Sequence, residues 1–135
     1  MFNDGGQVLL VREVADEHRW TLPGGWCDVL ESPRQAVERE VQEEAGVTVR
    51  ARHLAGIVDR ELWPHVPVYD RHIYKLLFVC EPLTDVDFSF ASAETSEVAW
   101  FNVDRLPDLS LDRVLPGQVA LLHQHWVSPG PAYLD

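Results

Sequence analysis

Apolar positions along this chain fall into strand-like runs, one clean alternation and two helical stretches. Val8, Leu9, Leu10 and Val11 form a short apolar strand after a tight-turn signal at Asp4, Gly5 and Gly6, so they read as the second arm of a hairpin. Its first arm is nearly absent, because only Met1, Phe2 and Asn3 precede the turn. Trp20, Thr21 and Leu22 are strand-like and run into Pro23, Gly24 and Gly25, where glycine permits turns and close approaches that a side chain would block. Over residues 47–54, Val47, Val49 and Ala51 point one way and Thr48, Arg50 and Arg52 the other, the period of a half-buried strand. A further short strand is expected at 56–59, a long one at 72–81 and a last one at 97–101, with a loop over 61–71 carrying Pro64 and Pro67.

The helical signals are sharper. Ser32 suits an N-cap, Pro33 the first helical position, and Gln35 completes a capping box. Residues 34–45 lack Gly and Pro, and Gly46 stands where helices commonly stop. Residues 116–126 carry Val119, Leu121, Leu122 and Trp126, which predicts a closing helix on a sheet, followed by a loosely ordered tail around Pro129 and Pro131. With no repeat, low-complexity tract or linker, the pattern predicts one domain over residues 1–135. Its class is α/β, arranged as an α+β sandwich with a mixed sheet between helices.

Composition narrows the function. Of 135 residues, 46% are hydrophobic, enough for a real core, while 22 acidic against 11 basic side chains leave a net charge of -11. Such a surface argues against a nonspecific grip on nucleic acid. It would also repel phosphorylated substrates unless cations intervene locally, so an acidic protein acting on phosphates should carry a divalent metal. Cys27 and Cys80 show no C-x-x-C spacing, and a reduced cytosolic pair is expected. No apolar run approaches the roughly 18 residues of a membrane span, and the start lacks a signal peptide's regions. A cytoplasmic protein with no membrane partner is the expectation.

Candidate chemistry concentrates on the first helix. Successive helical residues turn by about 100°, so Glu40, Glu43 and Glu44 fall within one arc of similar width. Val37, Val41 and Ala45 form an adjacent apolar stripe. Three clustered carboxylates repel one another by a few tenths of a kcal/mol per i,i+4 pair, and two lie toward the end disfavoured by the helix dipole. Local stability opposes the arrangement; a bound cation would reverse that sign. Magnesium prefers hard oxygen ligands completed by water and phosphate oxygens. The competing reading on the helix alone is a solvated acidic face.

The longer segment Gly25, five residues, Glu31, seven residues, then Arg39, Glu40, Val41, Gln42, Glu43, Glu44, Ala45, Gly46 and Val47 resembles the Nudix box, G-x5-E-x7-R-E-U-x-E-E-x-G-U with U aliphatic, at every defined position. The approach through Trp20, Thr21, Leu22, Pro23 and Gly24 resembles the strand and turn that lead into that box, and the likeness covers residues 5–101. It implies a Nudix fold whose first sheet strand is largely missing here, leaving either an open edge or a gap that a homodimer partner fills, or an incomplete reading frame. It implies a magnesium-dependent hydrolase, with Mn²⁺ as a possible substitute, that cleaves the diphosphate of a small nucleotide. Glu40, Glu43 and Glu44 are then metal ligands, joined by the Gly24 carbonyl. Arg39 orients the glutamates, and Glu31 supports the site from its loop or else interacts with the helix dipole. Glu40 is one candidate base; Glu94 and Glu97 are others, unless Glu97 simply starts a strand.

Outside the box the substrate signals are weaker. Trp63 and Pro64 occupy the neighbourhood where related ADP-ribose pyrophosphatases carry a proline, offset by about one residue. Trp63, Tyr69 or Tyr74 could stack on a base or serve the core, and His72 and Lys75 could meet phosphate or be solvated. Residues 24–29 and 72–75 are similar to a subgroup acting on nucleoside diphosphates linked to another group, such as ADP-ribose or CDP-choline. That pattern usually has Gly where Leu30 stands. The alternatives are a house-cleaning nucleoside triphosphate pyrophosphatase and a nucleotide-sensing module without turnover.

Overall fold

The apolar run at 8–11 becomes β1 (Val8–Glu13), and burial on both of its faces explains why the run is uninterrupted. The computed structural model describes every residue, Met1 to Asp135. Strand side chains alternate between faces. Val8 and Leu10 enter one apolar cluster, which packs under the closing helix, while Leu9 and Val11 enter another, which seats the glutamate-bearing helix.

β1 pairs antiparallel with β2 (Trp20–Thr21) and with β5 (Thr95–Phe101), giving the order β2-β1-β5. A second sheet has the order β4-β3-β6, with β3 (Val49–Asp59) antiparallel to β4 (Tyr74–Pro82) and parallel to β6 (Tyr133–Leu134). Two helices, α1 (Pro33–Ala45) and α2 (Pro116–Val127), complete an α+β fold. The sparse first arm of the hairpin survives as a stub: Phe2 bridges Val8, and the Leu9 N–H donates to the Met1 carbonyl at 3.1 Å.

Helix α1 starts and stops as its caps dictate. Ser32 Oγ accepts from the Gln35 N–H at 3.2 Å, Gln35 Oε1 accepts from the Ser32 N–H at 2.9 Å, and Gly46 takes a left-handed φ of 67°. A Cβ at Gly46 would also meet the Phe90 ring at 2.5 Å, so both space and conformation call for glycine there. Burial of Val41 and Ala45 beside Leu9, Val11 and Val98 fixes which face looks inward.

Two expectations are corrected. The strands expected at 47–54 and 56–59 are one eleven-residue strand, β3, because register shifts between Ala51 and His53 and between Leu54 and Gly56 absorb the irregularity. Gly56 does not break it; glycine there admits Tyr133, whose backbone oxygen would lie 3.2 Å from an added Cβ. The tail expected to be loose is also tied down. Tyr133 and Leu134 pair with Gly56 and Ile57, while the Asp135 carboxylate accepts from the Asp59 N–H at 2.5 Å and the Trp63 indole at 3.1 Å. A two-residue strand has no periodicity to announce it.

Candidate active site

Three segments converge at the C-terminal half of α1: the turn after β2, the end of β1, and the loop before α2. From α1 come Glu40, half-buried, and Glu44, only 4% exposed; Glu43 stays exposed at the rim. The helix therefore presents its carboxylates as a graded set, from buried to solvated.

The glycine turn closes over this set. The Gly24 N–H donates to Glu44 Oε2 at 2.9 Å, joining residues twenty positions apart. Gly25 lies directly above Glu40: a Cβ there would come within 2.5 Å of Glu40 Oε1, so glycine lets backbone and carboxylate meet. Leu30, in the loop beyond, holds a left-handed φ of 67° with its side chain fully exposed, a conformation that favours glycine.

Two arginines knit the carboxylates together. Arg39 makes a fork to Glu31, Nε to Oε1 at 2.8 Å and Nη2 to Oε2 at 2.9 Å. Its Nη1 donates at 3.0 Å to both Glu40 Oε1 and Glu43 Oε2, and Nη2 also reaches the Trp26 carbonyl at 3.1 Å. Arg113, arriving from the loop before α2, donates through Nη2 to the Gly24 carbonyl and to Glu44 Oε1, the latter at 3.2 Å. Its Nη1 lies 3.3 Å from Glu13 Oε2, at the end of β1. Glu13 is itself buried, and its Oε1 has no hydrogen-bond partner.

Neither Glu13 nor Arg113 was singled out from sequence. Glu13 merely ends an apolar run, and Arg113 is 89 positions from Gly24; no local spacing signals either. Six carboxylates, Asp28 included at 3.8 Å from Arg39, meet two guanidiniums here, so the cluster remains net negative even with the nearby Lys75 ammonium counted.

Burial raises the Glu44 and Glu40 carboxyls above their ordinary value, opposed by Arg113 and the Gly24 N–H at Glu44 and by Arg39 at Glu40. Glu31 moves the other way. The Arg39 fork, helped by the Asp28 N–H, lowers it from 4.5 to about 2. A carboxylate depressed in the folded state adds stability above its unfolded pKa, and that stability is lost as pH falls from 4.5 toward about 2. In an Arg39→Gln variant the Glu31 side-chain carbon, followed by NMR, is expected to titrate back toward the ordinary glutamate range. An unchanged acidic midpoint would show that the Arg39 fork is not the cause.

The remaining predicted site residues are dispersed. Lys75 donates from Nζ to the Arg113 carbonyl, and its burial, with Arg113 and Arg60 nearby, brings its pKa down to about 8. Tyr69 donates to Asp112 Oδ2 at 2.7 Å and lies over the Arg60 guanidinium, whose Nη2 donates to Asp112 Oδ1 at 2.7 Å. Both thus belong to the framework that positions the Arg113 loop. Trp63 packs on the core beside Gly117 and Tyr133, with its indole on Asp135. Glu97 pairs with Arg12 at 2.7 Å across β1 and β5, with both side chains substantially exposed. His72 pairs with Asp59 at 3.2 Å and stacks on Tyr74.

As they stand, no three His, Cys, Asp or Glu side chains are drawn together in metal-ligating geometry; the arginines hold them. The donor set nonetheless fits a hard divalent cation. It consists of carboxylate oxygens and one backbone carbonyl, and two of those oxygens already converge on a single positive group, Arg113 Nη2.

Fold and carboxylate helix together define a Nudix-type α+β fold. The family model described as "NUDIX domain" matches residues 1–124, and the chain belongs to that family. It is 39% identical over 116 residues to the Bacillus subtilis (strain 168) protein named "Putative ADP-ribose pyrophosphatase YjhB", covering 86% of this chain and 54% of that one. A crystal structure of an ADP-ribose pyrophosphatase from Streptococcus suis 89-1591 aligns with TM-score 0.85 at 32% identity, over 99% of this chain and 92% of that chain. A UDP-X diphosphatase structure aligns with TM-score 0.86 at 28% identity, over 99% of this chain and 63% of the other. The chain thus spans about half the length of the Bacillus relative.

Proposed function

We propose that this chain is a divalent-metal-dependent pyrophosphohydrolase that cleaves the diphosphate of a nucleoside diphosphate linked to another group, with ADP-ribose as the first candidate. The observation that carries the reading is the convergence of the Gly24 carbonyl and the buried Glu44 carboxylate on one cationic group, beside Glu40 and Glu43 on the same helix. The names of the Streptococcus and Bacillus relatives support the choice of ADP-ribose, and UDP-X diphosphatase supports the wider class.

Gly24, Glu40, Glu43 and Glu44 would hold Mg²⁺, with Mn²⁺ as a substitute. Such an ion supplies charge neutralisation and Lewis acidity at diphosphate oxygens. The chain's own residues do the rest. The Gly24 N–H keeps Glu44 oriented, and Arg39 sets the spacing among Glu31, Glu40 and Glu43. Glu40, half-buried and raised by burial, is the first candidate to accept a proton from the attacking water. Lys75 and Tyr69 are the better placed of the substrate-side candidates, being coupled to the Arg113 loop, whereas Trp63 and Glu97 are engaged elsewhere.

A nucleotide panel with product identification tests the reading. With Mg²⁺, ADP-ribose is expected to yield AMP and ribose 5-phosphate; chelation by EDTA should abolish turnover, and Mg²⁺ or Mn²⁺ should restore it. Release of inorganic pyrophosphate from nucleoside triphosphates alone would favour the triphosphate reading. Tight ADP-ribose binding without AMP release would make the domain a sensor.

A further inference from the structure

Arg113 holds the same oxygens that the proposed function gives to a cation, and the inference rests on that reading. Glu44 Oε2 is already committed to the Gly24 N–H at 2.9 Å, which leaves Oε1 as its free oxygen. Arg113 Nη2 occupies Oε1 at 3.2 Å together with the Gly24 carbonyl. We infer that the Arg113 guanidinium is an internal placeholder for the metal, competing with it for the Gly24 carbonyl and Glu44 Oε1 and moving onto Glu13 when the ion enters.

The surroundings give that movement a direction. Glu13 Oε2 already lies 3.3 Å from Nη1, and Glu13 Oε1 is buried with no partner. A guanidinium leaving Glu44 therefore finds a vacant carboxylate oxygen within the same group it already touches, and a fork can form there. An unpaired buried oxygen is costly, so the exchange would give Glu13 Oε1 the partner it lacks. The main chain does not have to follow. Lys75 Nζ holds the Arg113 carbonyl, and the Arg113 N–H donates to the Ser110 carbonyl at 2.9 Å. Only the side chain turns. The same contacts keep Glu13, Glu44 and the glycine turn assembled, so Arg113 is a positioning residue whose presence weakens metal affinity.

Mn²⁺ titration of the purified chain without nucleotide, read by electron paramagnetic resonance, tests this apart from turnover. Arg113→Gln is expected to tighten Mn²⁺ binding by about tenfold or more, the scale of changes around a metal's ligands. Arg113→Lys keeps the charge but replaces the fork with a point donor, and it is expected to tighten binding by a smaller factor. A purely structural role predicts weaker binding in both, so unchanged or weakened affinity in Arg113→Gln overturns the inference. Tightening in Arg113→Gln with wild-type affinity in Arg113→Lys also overturns it, since charge alone would then explain the effect. If the glutamine variant does not fold, the lysine variant decides: tighter binding supports the inference, and unchanged or weaker binding overturns it. Absence of Mn²⁺ binding in the wild type would instead remove the metal reading, and this inference with it.

Discussion

Glu44→Gln is expected to lower kcat for ADP-ribose with Mg²⁺ by about a hundredfold or more, since a ligand should matter at least as much as the groups that only support ligands, whose loss costs about 10–100-fold. The substitution keeps the volume and one carbonyl oxygen, so the Gly24 N–H still finds an acceptor. What disappears is the charge, at the most buried carboxylate of the cluster, 4% exposed. Neutral glutamine ligates a divalent ion poorly and no longer pairs with Arg113, now 3.2 Å from Glu44 Oε1. Folding should suffer less than turnover, because Arg113 keeps its Glu13 partner at 3.3 Å and is not left as an unpaired buried charge. Activity and stability are thus expected to separate, which steady-state kinetics beside a thermal melt would show. Near-normal turnover in a folded variant would mean that Glu44 has no part in the chemistry.

Leu9→Ala is expected to act in the opposite way, on stability first. Leu9 is fully buried in the cluster formed with Val41 and Ala45 of α1 and with Val11, Val49 and Val98. Truncating a buried leucine costs about 2–5 kcal/mol, because transfer energy is lost and a cavity remains. For a chain of this size that corresponds to a Tm lowered by roughly 10 °C. The glutamate-bearing helix rests on this cluster, so activity should fall at the temperatures where the melt begins and not below them. Circular dichroism against temperature checks it; a shift under about 3 °C would show that α1 is not seated by close packing.

Much of the candidate site was legible because its code is local. Capping box, apolar stripe and carboxylate arc all lie within residues 32–46, and helical geometry converts that spacing into one face without reference to the rest of the chain. The alternation over 47–52 was legible for the same reason: Val47, Val49 and Ala51 are buried, and Thr48, Arg50 and Arg52 are exposed. The same rules misread Gly56, because a glycine that ends one strand and a glycine that admits a neighbouring strand look identical in a linear pattern. They also overlooked β6, whose two residues carry no period.

By itself, then, the sequence determined that a capped helix would carry Glu40, Glu43 and Glu44 on one arc, that strands would flank it, and that the fold would be α+β. Periodicity and capping act over three or four residues, so they are written where they act. Only the tertiary structure decided that Glu13 and Arg113 join the cluster, that Gly24 closes on Glu44, and that the last residue reaches back to Asp59 across 76 positions. Those contacts come from packing two sheets and two helices around shared apolar clusters, and burial, rather than spacing, chose which polar groups would meet.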